Sequence, residues 1–235
     1  MNLSTLSGRT TPEDRAKNID FLRMLYTLFA IKLLIALIWT SFALSHYDKF
    51  GKGIERWWEF AIVTGVMCLI LILATIIMPA LRKFPIGAAI YAVFTICFMH
   101  FVSYLCLLDK TYLVYYALWL LFAVSIGFVI YAWSLVSRSN TLISIMVVTT
   151  SCLMIFIVFL IFSEIKFIGL LLVLFGILVF GFYLNYDVRK MVRGGIIEYV
   201  TDDPYTGAIR IWLESALVFC RFIELIGRSC CKNKH

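Results

Sequence analysis

The chain has 235 residues, of which 63% are hydrophobic and 15% are charged, and its mean hydropathy is +0.96. Soluble domains are far less apolar, so this composition indicates an integral membrane protein and leaves no separate soluble domain. The net charge of +7 does not predict a nucleic-acid partner here, because the basic residues lie at the ends of apolar runs, where they meet lipid headgroups.

The N-terminal segment, residues 1–20, is polar and carries the start signals of a helix. Thr11 can cap the first turn, Pro12 suits the first helical position, and Glu13 and Asp14 lie near the positive end of the helix dipole. We therefore predict a short amphipathic helix that leads into the first membrane span. No cleavable signal peptide is expected, because no small-residue cleavage site follows the first apolar run.

Apolar runs of about 20 residues, long enough to cross a hydrocarbon core of about 30 Å, recur along the rest of the chain. Most of the connections between them are so short that consecutive helices must be antiparallel neighbours in one bundle. The sequence thus predicts an all-α membrane protein with a single seven-helix domain over residues 21–227 and a basic tail over residues 228–235. The predicted spans are residues 23–44, 58–81, 86–108, 112–136, 142–162, 167–186 and 209–226.

The lysines and arginines of the loops predict a cytoplasmic N-terminus. If the seventh run crosses the membrane, the two sides carry nearly equal numbers of basic residues. If that run dips in and returns, the bias toward the N-terminal side becomes strong. The charge pattern therefore leaves both arrangements of the last helix open.

The seventh run carries a stripe of charge formed by Arg210, Glu214, Arg221 and Glu224. At about 100° per residue these four side chains fall within roughly 80° of arc, and charges this costly in lipid must face protein or water. The simplest interpretation is internal pairing, because the members of each pair are three or four residues apart. Glu214 is the stronger functional candidate, since an ionisable group near the midpoint of a span usually marks an ion or proton pathway.

Other polar residues have simple interpretations when each is taken alone. Asp187 ends the sixth span and is most simply a solvated loop residue. His100, inside the third span, is expected to form a packing hydrogen bond rather than to bind a metal or haem. Cys230 and Cys231 lie beside lysines beyond the last span, where either reversible acylation or free reduced thiols fit. The other cysteines lack metal-site spacing, so no cofactor is expected.

The residues around the sixth and seventh spans resemble the C-terminal signature of the transmembrane Bax inhibitor motif family. In that family a Tyr-Asp pair ends helix six, and a Leu-Tyr-Leu-Asp run opens a half-polar helix seven. Together with the helix count, the likeness covers nearly the whole chain. The matching stretches are Gly181 to Met191 with its Tyr186-Asp187 pair, Pro204-Tyr205, Ile211-Trp212-Leu213-Glu214, Ile226-Gly227 and, as in the Golgi-type branch, Arg82-Lys83-Phe84-Pro85 and Phe162-Ser163-Glu164.

The resemblance implies a bundle of six helices around a central seventh, and a Ca²⁺ leak through an intracellular membrane that restrains cell death. Asp187 and Glu214 match two family acids thought to share a proton and to act as a pH-sensitive latch that contacts Ca²⁺ transiently. Two carboxylates in one low-dielectric site cannot both ionise cheaply, which gives this latch a physical basis. Arg82, Arg210 and Arg221 are candidate counter-charges, although headgroup contact is the simpler role for Arg82.

The resemblance also implies residence in the endoplasmic reticulum or Golgi, apoptosis-regulating membrane proteins as partners, and a monomer, with an oligomer left open. The sequence departs from the family pattern at several positions. Glu214 is one methylene longer than the family aspartate, Glu224 is an extra charge, and Val188-Arg189-Lys190 replaces the family's acidic and amide residues. These departures suggest a divergent member with altered latch geometry.

Three other classes of protein have features in common with this sequence. A seven-helix receptor is disfavoured because the loops are short and Asp-Arg-Tyr and Asn-Pro-x-x-Tyr are missing. An intramembrane aspartyl protease would need Gly-x-Gly-Asp on the helix that carries Glu214, and no hydrolase motif is present, so no enzyme is expected. A membrane interaction protein that conducts nothing remains an open alternative to the leak channel.

Overall fold

The computed structural model describes residues 12–56, 58–108, 113–134, 141–162, 167–192, 204–209 and 211. Within these ranges the chain is helical apart from short turns, as the all-α prediction requires. Two short helical turns, a π-turn at Tyr47–Gly51 and a 3₁₀ turn at Pro79–Arg82, connect longer elements. The helices are α1 (Pro12–Ser45), α2 (Lys52–Arg56), α3 (Trp58–Ile77), α4 (Ile86–Leu108), α5 (Leu113–Ser134), α6 (Thr141–Phe162), α7 (Phe167–Val192) and α8 (residues 204–209).

The long helices have the length and composition of membrane spans. Four stretches in the described part of the chain are long and apolar enough to cross a bilayer: Ile19–Ser45, Trp58–Ile77, Ile86–Leu108 and Val114–Ser134. Shorter apolar helices cover Ile145–Ile161 and Val173–Leu184. Their outward faces expose large apolar side chains, as expected where lipid is the solvent. The chain is therefore a multi-pass integral membrane protein.

Six of the seven predicted spans correspond to α1 and to α3 through α7, with three differences in their limits, one of which is that α7 continues to Val192, six residues beyond the predicted end. Helix α1 runs without interruption for 34 residues from Pro12, so the expected lead-in helix is continuous with the first span. Helix α3 ends at Ile77 rather than at residue 81, because Pro79 has no N–H to donate and Met78 before it is extended, with φ −108° and ψ 96°. Most of the predicted seventh span lies outside the described residues.

Helices α1 and α5 are the main packing elements of the bundle. Helix α1 packs against α4 and α5, and α5 in turn packs against α6 and α7. Close approach uses small residues, which is the usual device where lipid removes the hydrophobic drive between helices. A side chain at Gly181 of α7 would meet Val148 of α6 at 2.9 Å, so this position needs glycine.

Helices α1 and α4 lie parallel and in register. The Tyr91 hydroxyl donates to the Leu28 carbonyl, and the hydroxyls of Thr40 and Ser103 lie 2.9 Å apart. Both pairs are separated by 63 residues along the chain, so the two helices keep the same offset over more than three turns. This register fixes the depth at which residues of the two helices face each other.

Candidate functional site

The structure places the backbone of Asp187 in α7, five residues before that helix ends at Val192. Its side chain is not among those described. Glu214, Arg210, Arg221, Cys230 and Cys231 also lie outside the described residues. The shared-proton pair, two of its candidate counter-charges and the acylation site therefore stay predictions.

Helix α8, which precedes Glu214 in the sequence, is buried within the bundle. Thr206, Ala208 and Ile209 are each at most 2% exposed, and Ile211 just beyond them is 7% exposed. The ring of Tyr205 lies 5.9 Å from that of Tyr91 on α4. The chain thus enters the protein interior before it reaches the charged stripe.

Lys32 of α1 contacts this buried segment, and sequence reasoning did not select it. Its side chain is 0% exposed, and its Nζ donates a hydrogen bond of 3.2 Å to the backbone carbonyl of Ala208. Lys32 is the midpoint of the apolar stretch Ile19–Ser45 of α1, so it lies at mid-membrane depth. This hydrogen bond joins two residues that are 176 positions apart in the chain.

Three phenyl rings surround the Lys32 ammonium. Its Nζ lies 4.9 Å from the ring centroid of Phe29, 5.2 Å from that of Phe94 and 5.4 Å from that of Phe98. The two α4 rings are stacked, with centroids 6.1 Å apart and planes at 9°. Phenyl faces carry negative potential, so rings at these distances stabilise a cation. We call Phe29, Phe94 and Phe98 the phenyl cage.

The parallel register of α1 and α4 builds this cage. Phe29 precedes Lys32 by one turn of α1, and Phe94 and Phe98 lie one turn apart on the facing side of α4. The Cys68 thiol of α3 lies 4.0 Å from the carbonyl of Phe94, so a third helix also packs beside the phenyl cage. Among the described residues, Lys32 has no ion pair with a carboxylate.

Helix α8 runs into the membrane in the same direction as α1. Tyr205 lies beside Tyr91, which bonds to Leu28, whereas Ala208 lies beside Lys32, one turn farther along α1. Both helices therefore advance together from the side of the membrane where α1 begins. Whether the chain beyond Ile211 crosses or returns lies outside the described residues.

Arg82 has a defined structural role at the end of α3. Its Nε donates to the Thr75 carbonyl at 2.9 Å, and its Nη2 donates to the Ile76 carbonyl at 2.8 Å. Carbonyls in the last turn of a helix have no partner inside the helix, so the guanidinium caps them and opposes the helix dipole. The suggested role of Arg82 as a counter-charge to Asp187 stays a prediction.

His100 of α4 differs from the expectation of a packing hydrogen bond. Its Nε2 is buried with no hydrogen-bond partner in the described part of the chain. The ring instead packs edge-on against Phe60 of α3, with centroids 4.7 Å apart at 75°. Aromatic packing between α3 and α4 therefore positions this side chain, at the expense of a polar partner for one nitrogen.

A sequence signal for Lys32 was available. A lysine at the centre of an apolar run of 27 residues meets the rule that an intramembrane ionisable group marks a functional site. The seventh run gives a stronger signal because it carries four charges, whereas a single charge barely lowers the mean hydropathy of α1. Its partners on α4 and α8 are far away in sequence, so no local pattern would have identified them.

One of three comparisons with known proteins gives a match. A family model described as inhibitor of apoptosis-promoting Bax1 matches residues 19–230, which is nearly the whole chain. No match occurs among the curated proteins or the solved structures compared with it. The matched region begins with the membrane part of α1 and extends past α8, so it contains both Lys32 and the charged seventh run. The chain belongs to the Bax inhibitor family.

Proposed function

We propose that this protein is a Ca²⁺ leak pathway of an intracellular membrane, that it restrains cell death, and that a proton shared by Asp187 and Glu214 controls it. Family membership supports the role in cell death, since the family is described as inhibiting the apoptosis-promoting protein Bax1. The proposed activity is transport and needs no catalytic residue. Lipid, Ca²⁺ and protons are its ligands, and other apoptosis-regulating membrane proteins are its proposed partners.

The burial of α8 is the observation that carries the transport proposal. Ile211 is 7% exposed, and Glu214 follows it by three residues, less than one further helical turn in sequence. If the chain continues into the bundle beyond Ile211, the Glu214 carboxylate would be costly there unless it met a cation, a proton or water. Ca²⁺ prefers carboxylate and carbonyl oxygens, which a pathway along this segment would supply.

The position of Asp187 near the end of α7 is compatible with a shared site. If α1 and α3 through α7 all cross, their alternation returns the end of α7 to the side where α1 begins. Helix α8 enters from that same side. Asp187 and the start of α8 would then lie on one side of the membrane. A shared site requires the chain beyond Ile211 to bring Glu214 toward Asp187, where protonation of either acid would relieve their mutual repulsion and deprotonation would attract a cation.

A Ca²⁺ flux assay tests this proposal. The purified protein in liposomes loaded with a Ca²⁺ indicator should pass Ca²⁺ more slowly as the pH falls from about 8 to about 6, because protons replace Ca²⁺ at the acids. Asp187→Asn and Glu214→Gln should each abolish this dependence. Glu59→Gln is the matched control, since Glu59 is an exposed acid in the first turn of α3 and should leave the dependence unchanged.

Flux no greater than that of empty liposomes would reject the leak pathway and favour the interaction protein that conducts nothing. Flux whose pH dependence survives both substitutions would reject the carboxylate gate but not the leak pathway.

Two further measurements test the proposed role in the cell. Fluorescent fusions should locate the protein to the endoplasmic reticulum or Golgi with its N-terminus in the cytoplasm, and its expression should reduce death after an apoptotic stimulus.

A further inference from the structure

We propose that Lys32 is a tethered cation that occupies a cation-binding position beside α8 and thereby slows the passage of Ca²⁺ through the leak. This inference rests on the proposed function, because it names a second control element of the same pathway. It differs from the carboxylate gate in residue, in helix and in sign of charge.

The ligands of Lys32 are those of a cation site. A backbone carbonyl lies 3.2 Å from Nζ, and three phenyl faces lie within 5.4 Å. Carbonyl oxygens coordinate permeating cations, and ring faces stabilise positive charge without neutralising it. The arrangement therefore holds a positive charge in place and leaves its field unopposed by any described carboxylate.

The location of the ammonium places this field on the route proposed for the ion. Lys32 is at the middle of the α1 span and is 0% exposed, so its charge is inside the bundle and not at the lipid surface. Its carbonyl partner, Ala208, belongs to the segment that leads to Glu214. A Ca²⁺ ion that approaches Glu214 along α8 meets a fixed charge of the same sign in a low-dielectric interior, where repulsion is strong.

Charge scaling separates this role from simple packing. The repulsion between a fixed charge and an ion is proportional to the charge of the ion, so its effect on a divalent rate is the square of its effect on a monovalent rate. Loosened helix packing would instead enlarge the path and raise both rates by similar factors. The change in Ca²⁺ flux relative to the change in K⁺ flux therefore distinguishes an electrostatic effect from a change in helix packing.

The experiment measures Ca²⁺ and K⁺ entry into liposomes at one fixed pH for Lys32→Gln, Lys32→Met and Lys32→Arg. Lys32→Gln keeps a donor for Ala208 but loses the charge, and we expect K⁺ flux to rise about threefold and Ca²⁺ flux about ninefold. Lys32→Met should give the same pattern, so that one variant suffices if the other does not fold. Lys32→Arg keeps the charge and should remain within about twofold of the unaltered protein for both ions.

Thr40→Val is the matched control for helix packing. It removes the 2.9 Å contact between the Thr40 and Ser103 hydroxyls at the same α1–α4 interface, without a change of charge. We expect both fluxes to stay within about twofold of the unaltered protein, because the fixed charge at Lys32 is kept.

Each pattern of flux has a distinct meaning. Equal rises of both ions in Lys32→Gln, or no rise at all beside a conducting unaltered protein, overturn the tethered cation and leave the leak pathway standing. No flux above empty liposomes in any variant rejects the leak pathway together with this inference.

Discussion

Two basic side chains of α1, Arg23 and Lys32, use similar contacts in different surroundings. The Arg23 guanidinium lies 5.5 Å from the Trp133 ring and donates to the Ala132 carbonyl at 3.3 Å, both on α5. It also pairs with Asp20 at 3.0 Å and is 28% exposed. Lys32 has ring faces and a carbonyl as well, but it is fully buried and has no described carboxylate partner.

The comparison shows which contacts suffice to stabilise a basic side chain at each depth in the membrane. Near the end of a span a basic group can reach water, headgroups and a carboxylate, so ring and carbonyl contacts add little to its stability. At mid-membrane depth the same contacts are the main compensation for a large desolvation cost. Lys32 is therefore expected to be sensitive to changes that Arg23 tolerates.

Reversal of charge at mid-span should produce the largest effect. In Lys32→Glu a carboxylate would face the Ala208 carbonyl and three electron-rich rings, and we expect the free energy of unfolding to fall by at least about 3 kcal/mol. Arg23→Gln, nine residues earlier on the same helix, should cost less than about 1 kcal/mol. Reversible denaturation in detergent micelles measures both values, and comparable losses would contradict the depth argument.

Truncation of the cage should have the next largest effect. Phe94 is 0% exposed, contacts Lys32 and stacks on Phe98, so Phe94→Ala should lower the free energy of unfolding by about 3 kcal/mol or more. Trp133, the ring beside Arg23, is 62% exposed, and Trp133→Ala should cost about 1 kcal/mol at most. Thermal unfolding of the two variants gives the ranking, and a larger loss at Trp133 would contradict it.

The sequence predicted the helices well because their signals are local. Length and apolarity placed six spans, and Pro79 accounts for the early end of α3, whereas α1 and α7 extend beyond their apolar runs into polar sequence. The cage could not be predicted in this way, since it depends on the parallel offset of α1 and α4. The contact with Ala208 depends in addition on where α8 enters the bundle, which only tertiary structure determines.

The Arg82 guanidinium is only partly buried but bonds to two backbone carbonyls. Its substitution should therefore lower the free energy of unfolding by an amount between those of Lys32→Glu and Arg23→Gln. Its two carbonyl bonds cap α3, so Arg82→Ala should fray the last turn of that helix and cost about 1 kcal/mol. Arg82→Lys keeps the charge but not the forked geometry, and should recover only part of the loss. Hydrogen exchange of the amides near Ile77 reports the fraying, and unchanged protection in Arg82→Ala would exclude the cap.

The exposed pair of Asp48 and Lys52, outside the spans, should give the smallest effect and completes the series. Their side chains are 2.8 Å apart and 88% and 62% exposed. The hydrogen bond from Lys52, and then its charge, lower the pKa of Asp48 below 3.8, and the same contact raises the pKa of Lys52 above 10.5. The stabilisation is thus present between these values, and is lost as the pH falls through the lowered pKa of Asp48 or rises through the raised pKa of Lys52.

An NMR titration of the Asp48 carboxyl tests this end of the series. In the unaltered protein its pKa should lie below 3.8, and Lys52→Met should return it toward that ordinary value. High salt should shrink the difference, because ions screen an exposed pair far more than a buried charge. The unfolding temperature should stay within error in Lys52→Met, whereas a shift as large as that of Lys32→Glu would mean that exposure does not govern what a basic group contributes here.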